Sequence, residues 1–390
     1  MNSRKVVRGV LPAVMLCALM AGRPAAEEEP LIERHVKVYY ERARFGGWPA
    51  NYGMWAWGNE MLVGFSRGYY KDLGRRHHID REKPEEHWLA RSLDGGATWT
   101  LENPAEKGYL IPRGRALHGT EVPGLAIPEL KPCPGGIDFT RPDFAMTLRM
   151  SNIDGGVSRF NYSYDRGHTW EGPFRLPSFD TPGTAARTDY IVDGPAECML
   201  FLTAAKQNRQ EGRPFCARTT DGGATWDFVS WIGPEPKGFA IMPASVRLSK
   251  DELYVAVRRR EGPRRWIAAY RSHDNGRTWT QTDDPVSDLG EGNPPSLIQL
   301  RDGRLCLTYG YRAEPYSIRA RLSSDGGRTW GDELALRDDG LSTDVGYVRS
   351  LQRPDGKVVS LYYFCDAATG PERYIAATIW DPGQHKVTQH

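Results

Sequence analysis

The sequence lacks Cys-x-x-Cys spacing, an apolar run long enough to span a membrane and an excess of charge of either sign, and each absence narrows what the chain can be. Of six cysteines, Cys17 sits in the N-terminal segment, and Cys133, Cys198, Cys216, Cys306 and Cys365 form an odd set. These five are expected as buried free thiols on strands, with one disulfide open in an oxidising compartment. The apolar run from Val10 to Ala21 is too short for a membrane span. It follows Arg4, Lys5 and Arg8 and ends in Ala25-Ala26 before Glu27-Glu28-Glu29. Met1 to Ala26 therefore reads as a signal peptide, with secreted or periplasmic localisation. Cleavage there removes four basic residues (Arg4, Lys5, Arg8, Arg23) and no acidic ones, turning a net charge of +2 into about −2. No global basic field is left to attract nucleic acid. His77, His78 and His87 lack the spacing of a metal site, so no metal and no other cofactor is expected, and the chain is expected to act as a monomer.

What the sequence does have is a repeat. Ser323-Ser324-Asp325-Gly326-Gly327-Arg328-Thr329-Trp330 has four upstream copies, at Ser92 to Trp99, Ser163 to Trp170, Thr219 to Trp226 and Ser272 to Trp279. Asp-to-Asp spacings of 71, 56, 53 and 51 mark a repeat architecture. The chemistry is that of a self-satisfied hairpin turn: the Asp accepts from nearby N–H and hydroxyl groups, a Gly takes the positive φ, and the Trp packs beneath. Such a box is scaffold rather than site.

These motifs resemble the Asp-box repeats of the sialidase (neuraminidase) superfamily over about residues 35 to 380. The resemblance implies an all-β, six-bladed β-propeller, one domain over residues 27–390, with each box between the third and fourth strands of a blade. Counting from the boxes, strands are expected at Ala244 to Leu248, Leu253 to Arg258 and Trp266 to Arg271, and again at Ser296 to Leu300, Arg304 to Tyr309 and Ser317 to Leu322. The same register puts first strands at about Asn51 to Trp57, Phe144 to Arg149 and Asp189 to Asp193. After the fifth box, Tyr347 to Gln352, Val358 to Phe364 and Tyr374 to Ile379 make a sixth blade without a box, its fourth strand supplied by His35 to Arg42.

Because strands alternate, the boxes lie on one rim and the chemistry belongs on the other. Long connections at Arg67 to Glu86, Gln207 to Arg213 and Arg259 to Arg265 are expected there. Arg67, Arg149, Lys206, Arg258 and Arg312 recur near the matching end of second strands, and a cluster of cations calls for an anionic ligand. Sialidases hold a substrate carboxylate with three arginines, and Arg258 and Arg312 are similar by local motif to the second and third. The resemblance also implies that Tyr347, in Gly346-Tyr347-Val348-Arg349-Ser350, is the nucleophile, a neutral phenol being suited to attack on an anionic sugar. The general acid is expected in the first long loop, Asp80 by local context or Glu86 by spacing.

The sequence departs from the family twice. Phe45-Gly46-Gly47-Trp48-Pro49 stands where an Arg-Ile-Pro motif supplies the first arginine, leaving Arg44, Arg67 or Arg187. Met242-Pro243-Ala244-Ser245 stands where a glutamate assists the tyrosine, leaving Glu261 or Asp189. Arg187-Thr188-Asp189-Tyr190 has the mixed chemistry of a polyhydroxylated ligand site, whereas Trp48, Tyr52, Trp55 and Trp57 are expected mainly in the core. The expected function is a secreted exo-glycosidase acting on a terminal acidic sugar of a glycan. A non-catalytic glycan-binding propeller and a polysaccharide lyase acting on uronates stay open beside it.

Overall fold

Nearly every regular element is a strand of an antiparallel hairpin, and the hairpins form six sheets arranged as a six-bladed propeller. This computed structural model describes Met1, residues 31–107 and residues 129–384. Apart from Met1, the signal peptide reading lies outside the described residues.

In the first blade Arg44–Gly47 and Met54–Trp57 both pair with Glu60–Tyr69, followed by Glu86–Ser92 and Thr100–Glu102. A single helical turn, Pro49–Tyr52, splits the inner strand. The third blade repeats this split: Thr184–Ala185 and Tyr190–Val192 lie on Cys198–Ala205, ahead of Glu211–Thr219 and Asp227–Trp231. Blades four and five have four strands each, the fourth starting with Phe239–Arg247 and Leu253–Glu261, the fifth with Pro295–Gln299 and Leu305–Tyr311. The sixth comprises Gly346–Gln352, Val358–Phe364 and Tyr374–Trp380. Ile32–Tyr39 closes it, antiparallel to its last strand, with Ile32 opposite Trp380 and Val36 opposite Ala377. The ring thus closes as the sequence indicates, and Tyr374–Trp380 is paired rather than left as a bare edge.

Two expectations need correction. Phe144 to Arg149 is the second strand of its blade, not the first. Ala145–Met150 pairs with Ser158–Ser163, the strand that runs into the box, and no first strand precedes it among the described residues. Side chains from blade three partly replace that strand: Thr188 Oγ1 accepts the Leu148 N–H at 3.0 Å and Tyr190 OH accepts the Met146 N–H at 3.3 Å. Arg259 to Arg265 is not a long loop either. Its residues continue two strands that pair out to Glu261 opposite Arg264, with Gly262 at φ 54° making the turn. The connection of residues 70–85 is therefore the prominent loop of that rim.

All five boxes have the turn chemistry the sequence indicates. In the fourth, Ser272 Oγ donates to Asp274 Oδ1 at 2.8 Å and accepts Gly276 N–H at 2.8 Å, while Thr278 gives its N–H and hydroxyl to the same carboxylate. Asp94 and Asp274 are pushed up by burial, but these hydrogen bonds prevail and hold both at about 2. Trp170 and Trp226 are buried beneath their boxes. The cysteines Cys133, Cys198, Cys216, Cys306 and Cys365 are free and buried, the first and last of them off the strands. No helix among the described residues is long and apolar enough to cross a membrane.

Candidate active site

Tyr347 begins the inner strand of the sixth blade, buried, with φ 52°. Left-handed backbone at a non-glycine residue costs of order 1–3 kcal/mol and persists only where the surroundings enforce it. Asn293 is the enforcer: its Oδ1 accepts the Tyr347 N–H at 2.7 Å, and its Nδ2 donates to Val345 O at 2.8 Å. Met242 (φ 53°), at the corresponding bulge of the fourth blade, and Trp48 (φ 60°) in the first share the conformation, and the three side chains lie in one cluster.

Three expected arginines gather around this tyrosine. Arg187, Arg258 and Arg312 are each electrostatically coupled to the Tyr347 phenol, as is Arg81 from the long loop. Two of the three have internal partners. Arg187 pairs with Glu211 through both terminal nitrogens and donates from Nε to Asn51 Oδ1 at 3.1 Å. Arg312 donates from Nε to Val345 O at 2.9 Å and from Nη2 to Tyr363 OH at 2.5 Å, and its guanidinium lies 5.5 Å from the Tyr347 ring centre. Arg258 differs, since no carboxylate among the described residues is within ion-pair distance of it. Burial pushes its guanidinium down, Tyr347 opposes that, and Arg312 adds to it. Gly292 lets the chain pass close by: a Cβ there would come within 3.3 Å of the Arg258 Nε.

The expected acids scatter. Asp80 is buried on the wall of a cavity of about 600 Å³, which Arg312, Asp344, His77 and Arg81 also line. Its Oδ1 accepts the Glu82 N–H at 3.1 Å. Glu86 instead joins Arg67 at 2.6 Å and Trp88 Nε1 at 2.9 Å on the flank of the first blade, where Arg67 also meets Glu41. Arg67 and Glu86 are thus tied to each other, away from Tyr347. Arg44 stacks on Tyr69, and Glu261 sits at a hairpin tip near Lys237, so neither substitutes for a missing family residue. Lys206 donates to Gly238 O at 2.7 Å, and Arg149 stacks on Tyr52. Asp189 lies in a separate, smaller cavity with Arg349 and Thr188, and burial raises its carboxyl to about 7. Trp48, Tyr52 and Trp55 are buried, as expected of core residues.

Sequence reasoning missed three residues here. Glu85 precedes Glu86 at the end of the same loop; burial raises it to about 7, and it accepts from Ser66 Oγ at 2.6 Å. Glu211 lies in the segment Gln207 to Arg213 that the loop argument singled out. Asp344 carried no signal at all: it is buried under the His77 imidazole, with Nδ1 at 2.6 Å, and also takes Tyr363 OH at 2.5 Å and the His78 N–H at 3.0 Å. Burial pushes Asp344 up, but His77, Arg373 and Arg312 outweigh it and hold the carboxyl far below its usual range. Among the described residues no group of three or more His, Cys, Asp or Glu is placed to hold a metal ion.

Known proteins share this architecture. A protein of unknown function from Dyadobacter fermentans is 20% identical, with a TM-score of 0.66, over 90% of this chain and 98% of its own. The NanB sialidase of Streptococcus pneumoniae is 12% identical, with a TM-score of 0.56, over 93% of this chain and 70% of its own. An α-L-arabinanase of Penicillium chrysogenum is 11% identical, with a TM-score of 0.54, over 90% of this chain and 99% of its own. At such identities the likeness is one of fold. No curated protein matches the chain. Residues 145–359, more than half of the sequence, match the BNR repeat-like domain, and the chain belongs to that family.

Proposed function

We propose that this protein is an exported, monomeric exo-glycosidase that removes a terminal acidic sugar, sialic acid or a related one, from glycans. The observation that carries the reading is Arg258, a half-buried cation without a carboxylate partner among the described residues, standing with Arg187 and Arg312 around Tyr347. Three guanidinium groups around one phenol, with Arg312 on the cavity wall, suit a carboxylate, which Arg can grip through two parallel hydrogen bonds. Tyr347 then attacks the anomeric carbon as a phenol that carries no charge to repel the sugar. Asp80, on the cavity wall beside Arg312, gives its proton to the leaving oxygen and later takes one from water. Glu85 is the other acid of the same loop, raised to about 7 by burial, although it does not line that cavity. The fold is shared with a sialidase and with an arabinanase, which is consistent with glycan hydrolysis and leaves the sugar to be read from the arginines.

The test is release of acidic sugar from sialylated, ulosonic or uronic glycans by purified protein, with loss of turnover by about 10³-fold in Tyr347→Phe. A screen with no acidic sugar released, or a Tyr347→Phe protein as active as the parent, refutes the reading. One observation favours a second reading, glycan capture without turnover: among the described residues no carboxylate hydrogen-bonds the Tyr347 hydroxyl. Glycan-array binding with no product identifies that case, and an unsaturated product absorbing in the ultraviolet identifies a lyase. Export predicts a mature protein starting at Glu27, which N-terminal sequencing checks.

A further inference from the structure

We propose that His77, oriented by Asp344, is the base that takes the phenolic proton of Tyr347, in the part that the absent carboxylate would play. The inference rests on the glycosidase reading. Its first support is the pairing itself. Asp344 Oδ1 lies 2.6 Å from His77 Nδ1, and the same carboxylate already accepts Tyr363 OH and the His78 N–H. A carboxylate only accepts, so the hydrogen-bond network assigns the ring proton to Nδ1 and leaves Nε2 as an acceptor. Its second support is where the ring stands. His77 meets the Tyr347 ring edge to face, centres 6.0 Å apart at 77°, and meets Trp48 on another side at 5.2 Å and 86°. The two rings are thus neighbours, and on this proposal the phenolic proton passes to Nε2 across one water between them. The ring is also 27% exposed and lines the cavity of about 600 Å³, so it is reachable from solvent.

The charges around the ring suit a base. Asp344, Arg312 and Arg258 face it, with the ring of Tyr347 and the hydroxyl of Tyr363. Burial disfavours the imidazolium, Asp344 favours it, and the two arginines disfavour it, so the ring is held neutral until a proton arrives, when Asp344 stabilises the cation.

The step balances. His77 Nε2 takes the phenolic proton as the Tyr347 oxygen bonds to the anomeric carbon; the glycosidic bond breaks, and its oxygen leaves with the proton of Asp80. Water then gives a proton to the Asp80 carboxylate while its oxygen bonds to the anomeric carbon. The bond to Tyr347 breaks, and the phenolate recovers its proton from His77.

The test is kcat/KM against pH, on a fluorogenic acidic-sugar glycoside that the parent protein turns over. His77→Gln is expected to lose about 10²-fold and to lose the acid limb of the profile, while binding an unsaturated acidic-sugar inhibitor within about twofold of the parent. Asp344→Asn removes the group that favours the imidazolium, so its acid limb moves to lower pH. His77→Ala is expected to regain turnover when imidazole is added. The proposal is overturned if His77→Gln keeps its rate and its acid limb, or if folded His77→Ala does not respond to imidazole. Should Asp344→Asn fail to fold, the two His77 variants decide. A parent protein that turns over no acidic glycoside sinks the glycosidase reading and this inference with it. An active parent, an inactive Tyr347→Phe and an unaffected His77→Gln sink this inference alone.

Discussion

Asp274, on the box rim, finds its partners within four residues, in Ser272 and Thr278. Asp344, on the other rim, draws on His77 at a sequence distance of 267, on Tyr363 and on Arg373. The first arrangement is a module that each hairpin completes alone, and it can be copied five times. The second exists only once the ring is closed, because its parts come from the first, fifth and sixth blades. The difference also sets their response to pH. Asp94, Asp221 and Asp274 are held at about 2, so they contribute stability that is present above about pH 4 and lost as pH falls towards 2. Glu85 and Asp189 are raised to about 7, so their penalty is absent below about pH 4 and grows as pH rises to 7. One rim is built for the fold, and the other holds buried ionisable groups at a cost to it.

The sharpest way to break this contrast is Arg258→Ala. We expect kcat/KM on an acidic sugar to fall about 10²-fold, the size of one lost charge-assisted contact in a buried site, with Tm unchanged or higher because a neighbour of Arg312 has gone. A fall in Tm without a fall in kcat/KM would make Arg258 structural. The converse variant, Asp274→Ala, is expected to lose about 1–2 kcal/mol and about 1–3 °C of Tm, with kcat/KM of the folded protein unchanged. It also flattens the acid limb of the stability curve below pH 4, which acid-unfolding profiles of the two proteins compare directly. The smallest effect is that of Glu85→Gln. Its Tm should match the parent at pH 4 and exceed it increasingly up to pH 7, by a degree or so; an advantage at pH 4 that vanishes at pH 7 reverses the sign and refutes the burial argument.

How much of this is legible in the sequence follows the same division. The boxes are local, so five of them count five blades, and Val36 with Val38 in alternation identifies the strand that completes the sixth. Arg258 and Arg312 are also legible, because each recurs at a fixed place in its repeat, and Arg187 is legible as one of three alternatives for the arginine missing from the family's motif. Glu86 and Arg67 are misleading for a physical reason: their spacing suits the site, but they lie across one hairpin from each other and neutralise one another. Asp344 and Glu85 are invisible because burial and distant partners, rather than neighbouring residues, give them their charge states. Phe144 to Arg149 misleads since counting back from the box assumes four strands where the pairing among the described residues gives three.

The strand pairing that seals the sixth blade has one further consequence. Ile32 lies directly opposite Trp380, so the first and last strands are already a hairpin that lacks only its turn. A short turn grafted between them, with the chain opened elsewhere on the box rim, yields a circular permutant whose sixth blade is one continuous meander. In the natural order that sheet, which also carries Tyr347, is complete only when the earliest strand to be synthesised has met the latest. A protein truncated before Tyr374 therefore leaves Ile32–Tyr39 without its partner, and the sheet that carries Tyr347 stays open.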